Sequence, residues 1–175
     1  MVSRQDWLTA GLEILAAKGA PALTVDRLTA RLGLTKGSFY HHFAGMAGYR
    51  TALLAHFEAE CTTRFIDQVE SEPDAPADRR LRRLGELVLA EHGTPALEIA
   101  MRAWALQDAE VRAVQERVDR TRVDYLRGLQ RQLGRAPEIG DLVYLVLVGG
   151  SHVVPALEPA QLSHLWDLVL EGEKP

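Results

Sequence analysis

Apolar residues recur at helical spacing from the start of the chain: Leu8, Leu12, Leu15 and Ala16 share one face. Ser3 stands where a hydroxyl caps a first turn, Asp6 at the positive end of the macrodipole, and Gly19 where a left-handed residue ends a helix. This predicts a helix over about residues 4 to 18. Thr24 then caps a short helix with Val25, Leu28 and Leu32 inward, and Gly33 ends it. Leu34 anchors a tight connection, Thr35 caps again, and Phe39 and Phe43 give a third helix its buried face.

Farther along, Leu53, Phe57, Cys61 and Phe65 repeat every four residues from Tyr49 onward, which predicts one long connecting helix. Ser71 to Pro76 reads as a loop. The next helix turns Leu81, Leu84, Leu87 and Val88 inward and Arg79, Arg80, Arg82 and Arg83 outward as a solvated, salt-bridged face. Glu91-His92-Gly93 closes it, and Thr94-Pro95 opens a helix striped by Leu97, Met101 and Trp104. Asp108 caps a long helix carrying Val111, Val114, Val118, Tyr125, Leu129 and Leu133, stopped by Gly134. The stretch from about Glu138 to Val154 is apolar nearly all round, and Leu162, Leu165, Trp166 and Val169 stripe the last helix. Nothing alternates as a strand would, so the fold class expected is all-α with about nine helices.

Two short helices joined by a tight, glycine-containing turn form a helix-turn-helix, whose second helix can enter the DNA major groove. Opposite Phe39 and Phe43, the third helix offers Thr35, Lys36, Gly37, Ser38, Tyr40, His41 and His42, groups suited to phosphates and base edges. Gly37 costs helix stability but removes a side chain where the helix approaches the groove floor. Charge agrees with this division. Residues 1–50 hold six Lys/Arg against three acids, whereas the remainder holds 14 against 21, hidden within a net charge of −4.

Composition excludes several classes. With 47% hydrophobic and 25% charged residues, 14 Gly and 8 Pro in 175 residues, the chain is neither disordered nor fibrous. Its longest apolar run, Leu142 to Val148, falls short of the roughly 20 residues that span a bilayer, and no secretory h-region follows Arg4 and Asp6, so no membrane partner and a cytoplasmic location are expected. The single cysteine, Cys61, rules out an internal disulfide.

The runs Leu23-Thr24-Val25-Asp26-Arg27-Leu28 and Gly33-Leu34-Thr35-Lys36-Gly37-Ser38-Phe39-Tyr40-His41-His42-Phe43 resemble the DNA-binding domain of TetR/AcrR transcriptional regulators over about residues 4 to 55. The resemblance implies that Thr24 and Tyr40 hold phosphates, that Lys36, Gly37 and Ser38 face the major groove, that His42 touches the backbone, and that Arg27 is a further contact. The chain departs from the family at Ala44-Gly45-Met46-Ala47-Gly48, where a Lys usually grips a phosphate. Met46 cannot replace that cation, so one fewer ionic contact per subunit is expected.

The resulting expectation is a DNA-binding domain over residues 1–48 and an effector-binding and dimerisation domain over 49–175. It describes a ligand-responsive regulator, by family habit a repressor, that binds a pseudo-palindromic double-stranded operator as a homodimer. The dimer candidates are Leu142, Val143, Val146, Leu147, Gly150, Leu162, Leu165, Trp166 and Val169, on the last two helices. Phe57, Cys61, His92, Met101, Trp104 and Tyr125 are the candidates for an effector pocket, and their character favours an apolar or aromatic small molecule. No cofactor is expected. The competing readings are an architectural DNA binder without effector, and a helical-bundle enzyme. For the latter, a metal set of His152, His164 and Asp167 lacks the repeated Glu-x-x-His pairs of di-iron bundles, and Cys61 with His92 is the remaining nucleophilic pair.

Overall fold

The computed structural model describes residues 2–91 and 95–171. Among these the chain is all helical: α1 Arg4–Lys18, α2 Val25–Leu32, α3 Lys36–His42, α4 Met46–Glu58, α5 Arg64–Glu70, α6 Ala77–Glu91, α7 Pro95–Ala105, α8 Ala109–Gln132, α9 Glu138–His152 and α10 Pro159–Glu171. A π-turn over Ala59–Thr63 joins α4 to α5 without a break, so the two form the long helix expected from Tyr49 onward and the described residues make nine helices. The turn expected at His92, Gly93 and Thr94 lies outside the described residues. Two compact units emerge, Met1–Glu60 with Ala96–Glu116, and Cys61–Pro95 with Arg117–Pro175.

In the first unit the caps form where hydroxyls precede helical runs. Ser3 and Asp6 make a capping box, and the hydrogen bonds from Ser3 hold the Asp6 carboxyl below its usual pKa. Four aromatic rings make the centre. Phe39 lies 5.6 Å from Trp7, 5.3 Å from Phe43 and 5.5 Å from Tyr49, and Tyr49 meets Phe43 edge-on at 4.9 Å. The Tyr49 hydroxyl, wholly buried, donates to the Trp7 carbonyl at 2.9 Å. Gly11 permits this approach of α1 to α4, because a Cβ there would overlap the Tyr49 hydroxyl. Arg50 of α4 donates to Asp108, pairs with Glu110 at 3.0 Å and stacks 5.4 Å over Trp104. Asp108 also caps α8 through the Val111 and Glu110 amides, and the amide bond from Val111 together with Arg50 holds its carboxyl below the ordinary pKa.

The second unit is built on Phe65, Val69, Leu81, Leu84, Leu126, Leu129, Ile139, Val143, Tyr144, Leu147 and Trp166. Glycines let its helices meet: a Cβ at Gly140 would come within 2.7 Å of the Arg127 amide nitrogen, and one at Gly85 within 3.1 Å of the Trp166 ring. Arg122 serves the π-turn, donating to Thr62 Oγ1 at 3.0 Å and to the Cys61 carbonyl at 2.8 Å.

Gly11→Ala is expected to destabilise the protein by about 2 kcal/mol or more, as overpacking against a fixed ring does. Gly128→Ala, in open space within α8, should stabilise it by up to about 1 kcal/mol. Urea unfolding of both variants checks the contrast.

Candidate nucleic-acid interface

The turn between α2 and α3 is set by Gly33, whose φ of 66° places it in the left-handed region, and by the Leu34 amide donating to the Thr29 carbonyl at 3.0 Å. Thr24 and Thr35 cap the two helices, accepting from the Arg27 amide at 3.3 Å and the Ser38 amide at 3.4 Å. Phe39 and Phe43 bury one side of α3 against Trp7 and Tyr49, which fixes the side that faces outward.

That outward side gathers the expected contacts. Thr24, Arg27, Thr35, Lys36, Gly37, Tyr40 and His41 are exposed, and Ser38 and His42 are half-buried. Tyr40 is 59% exposed while its ring packs edge-on against Phe39 at 5.4 Å, so the phenol is held out on a supported ring. His42 leans between Trp7 and Phe43. Lys36 is not a free cation, because its ammonium pairs with Asp26 at 2.6 Å, and Asp26 raises the Lys36 pKa. A Cβ at Gly37 would find only Thr35 Oγ1, at 3.6 Å, so the fold itself does not demand glycine there. Met46 begins α4 half-buried against the aromatic core, behind Gly45 at φ 99°, and no side chain caps this helix.

The other candidates divide. Phe57, Met101 and Trp104 belong to the first unit, with Phe57 and Met101 fully buried, whereas Cys61 and Tyr125 belong to the second. Trp104 helps line a cleft of about 510 Å³ with Leu23, Met46, Arg50 and Leu53. The Tyr125 hydroxyl donates to Glu70 at 2.5 Å, with burial and that carboxylate raising its pKa. His92 lies outside the described residues. Among the dimer candidates, Val143, Leu147, Gly150, Leu162 and Trp166 are buried within the single chain. Leu142 is exposed, and Val146, Leu165 and Val169 are half-buried. Gly150 is filled by Leu162 of the same chain, whereas Gly149 faces open space. Leu145 and Leu168, 62% and 52% exposed, join Leu142 on the surfaces of α9 and α10, although sequence periodicity did not single them out.

Two features escaped the sequence reading. One is the cluster of Arg50 with Trp104, Asp108 and Glu110, in which Arg50 stands 58 positions from Asp108. The other is Gln130, fully buried with neither side-chain Oε1 nor Nε2 bonded among the described residues. Its signal was a polar residue in the apolar register of Leu126 and Leu129. An unmet buried amide costs about 1–3 kcal/mol. Among the described residues no group of three or more His, Cys, Asp or Glu is placed to hold a metal, and no helix is long and apolar enough to cross a membrane.

Residues 8–49 match the family model of bacterial regulatory proteins, tetR family. The transcriptional regulator AcuR of Cereibacter sphaeroides is 33% identical over 95 residues, covering 53% of this chain and 43% of that protein. The chain thus spans less than half the length of this curated relative. A protein of Rhodococcus sp. assigned to the TetR-family transcriptional regulators superposes with a TM-score of 0.73 at 18% identity, over 95% of this chain and 96% of that one. The transcriptional regulator FadR of Bacillus subtilis, solved in complex with stearoyl-CoA, gives a TM-score of 0.68 at 14% identity, over 98% and 100%. These likenesses share the all-helical fold.

Gly37→Ala is expected to raise thermal stability by a degree or more, since alanine favours the helix and fits the space, while weakening DNA binding by about tenfold through a methyl directed at the groove. Calorimetry and gel-shift titration of the same preparation test the two opposed effects.

Proposed function

We propose that this chain, whose residues 8–49 match the tetR family of bacterial regulatory proteins, is a cytoplasmic homodimeric repressor of the TetR/AcrR kind, released from a pseudo-palindromic operator by a small, largely apolar effector. The observation that carries the reading is the outward side of α3. Small residues, a lysine, a histidine and a supported tyrosine project from a seven-residue helix whose opposite side is locked by four packed rings. Such a surface presents donors to phosphates and base edges with little conformational entropy left to lose.

In this reading residues 1–48 are the DNA-binding domain and 49–175 carry effector binding and dimerisation. Tyr40, Thr24, Arg27 and His42 hold the backbone, and Lys36, Gly37, Ser38, Thr35 and His41 approach the bases. Lys36 exchanges Asp26 for DNA on binding. The exposed leucines of α9 and α10 support an isologous dimer, with Leu142, Leu145 and Leu168 at the surface and the buried candidates beneath them as the packing that holds these leucines in place. Two copies then present two recognition helices to successive major grooves, about one helical turn of DNA or a multiple apart. Effector binding is linked to release: a ligand that favours the DNA-incompetent state weakens operator binding by the same coupling free energy.

Selection from random DNA followed by gel shift against excess unrelated competitor is the experiment. A discrete complex on a palindromic consensus is expected, and recovery of no consensus would overturn the reading. Met46→Lys should tighten binding and steepen the dependence of log K on log salt by about one unit. Leu145→Arg should convert the dimer to monomer in sedimentation velocity and lower operator affinity by about 100-fold or more, because a paired operator then meets single heads.

A further inference from the structure

The first unit carries a cleft of about 510 Å³ that the outward side of α3 does not use. Three segments of that unit make its walls. Leu23 comes from the connection between α1 and α2, Met46, Arg50 and Leu53 from the first half of α4, and Trp104, Gln107 and Asp108 from the turn between α7 and α8. Leu23, Met46 and Trp104 are half-buried and pack against the edge of the aromatic core, so the apolar part of the wall is already held in place. The volume falls in the range of small-molecule sites.

Arg50 is the basic group of this wall. Its Nη2 donates to Asp108 and pairs with Glu110 at 3.0 Å, while the guanidinium lies 5.4 Å over the Trp104 ring. Both ion pairs run through that one nitrogen. Nε is buried without a partner, and no described residue accepts from Nη1. A guanidinium has five N–H donors, so Arg50 keeps donors unanswered beside an apolar cavity.

We propose that this cleft binds an uncharged, largely apolar small molecule whose carbonyl-type oxygen accepts from Arg50. The inference deepens the reading of an effector-responsive regulator and rests on it. Charge selects the class. Asp108 and Glu110 together outweigh the single charge of Arg50, so a ligand carboxylate adds a third negative charge to a cluster that already has one in excess. An ammonium meets Arg50 as a like charge, and the Asp108 carboxylate is already shared among Arg50 and the Glu110 and Val111 amides. A neutral acceptor answers the guanidinium without either conflict, and its body covers Leu23, Met46 and Trp104. Such a ligand touches the residue before Thr24 and the first residue of α4, so it bears on the elements that flank α2 and α3 and is coupled to operator binding.

Saturation-transfer NMR titrations of the full chain with acetophenone, ethylbenzene, benzoate and benzylamine test the class, since the four share a ring and differ in its polar end. The parent should bind acetophenone about tenfold more tightly than the other three. Gln107→Trp, an exposed position on the rim, should plug the cleft and abolish binding. Arg50→Lys keeps the charge against Asp108 and Glu110 as a single ammonium, and should hold acetophenone and ethylbenzene within about twofold of each other. Circular dichroism of both variants confirms that they fold, and Ala47→Trp plugs the cleft from α4 should Gln107→Trp fail to. No parental preference, tighter binding of benzoate or benzylamine, or a preference that survives the plug or Arg50→Lys overturns the assignment. Gel shift on the selected operator separates this site from the regulator reading. Saturating acetophenone should weaken operator binding of the parent about fivefold and leave that of Gln107→Trp unchanged. Operator binding that acetophenone does not alter fails the site as an effector site alone, and a parent without specific operator binding fails the regulator.

Discussion

Everything the first unit presents to its surroundings depends on one buried hydrogen bond and the rings around it. The Tyr49 hydroxyl reaches the Trp7 carbonyl across 42 positions of chain, and Phe39 and Phe43 fill the space between. Aromatic rings of this size bury roughly 150–250 Å² each and lock one another at defined angles. The hydroxyl satisfies a carbonyl inside α1, so α1 and α4 hold one separation, and α3 rests on the rings between them. A short helix such as α3 has little intrinsic stability. Its rigidity is borrowed from this cluster, and so is the orientation of Tyr40 and Lys36.

The second unit uses a different device. Its helices approach through glycines at 85, 140 and 150, and its polar side chains are neutralised in pairs, such as Arg127 with Asp141 and Glu70 with Tyr125 and Arg80. The π-turn is a case in point: Arg122 donates to both the Thr62 hydroxyl and the Cys61 carbonyl within it.

The helices were legible from sequence because each is announced by local chemistry. Ser3, Thr24 and Thr35 precede periodic runs, Gly19 and Gly33 follow them, and caps and periodicity are properties of adjacent residues. The outward face of α3 was legible for the same reason. What the spacing of apolar residues could not resolve was depth. Val143 and Leu142 are neighbours on a helix that is apolar nearly all round, yet one is buried and the other exposed, because α8 and α10 cover only part of its circumference. Pairings such as Arg50 with Asp108, 58 positions apart, are decided by tertiary packing and leave no local trace. The candidate pocket residues, chosen as aromatic or sulfur-bearing, divide between two units because residue type does not encode location.

The ion pair between Lys36 and Asp26 bears on how such a protein searches a genome. Attraction to arbitrary DNA grows with the number of cations offered to phosphates, whereas recognition depends on groups that reach base edges. An exposed pair of this kind is weak enough to open whenever a better partner stands opposite. In the proposed reading, while this pair is closed α3 would meet random sequence with its foremost charge already answered, and the protein would linger less at wrong sites. On that proposal the carboxylate would yield the lysine only where the bases reward it, and the aspartate would trade binding strength everywhere for discrimination at the few places that matter.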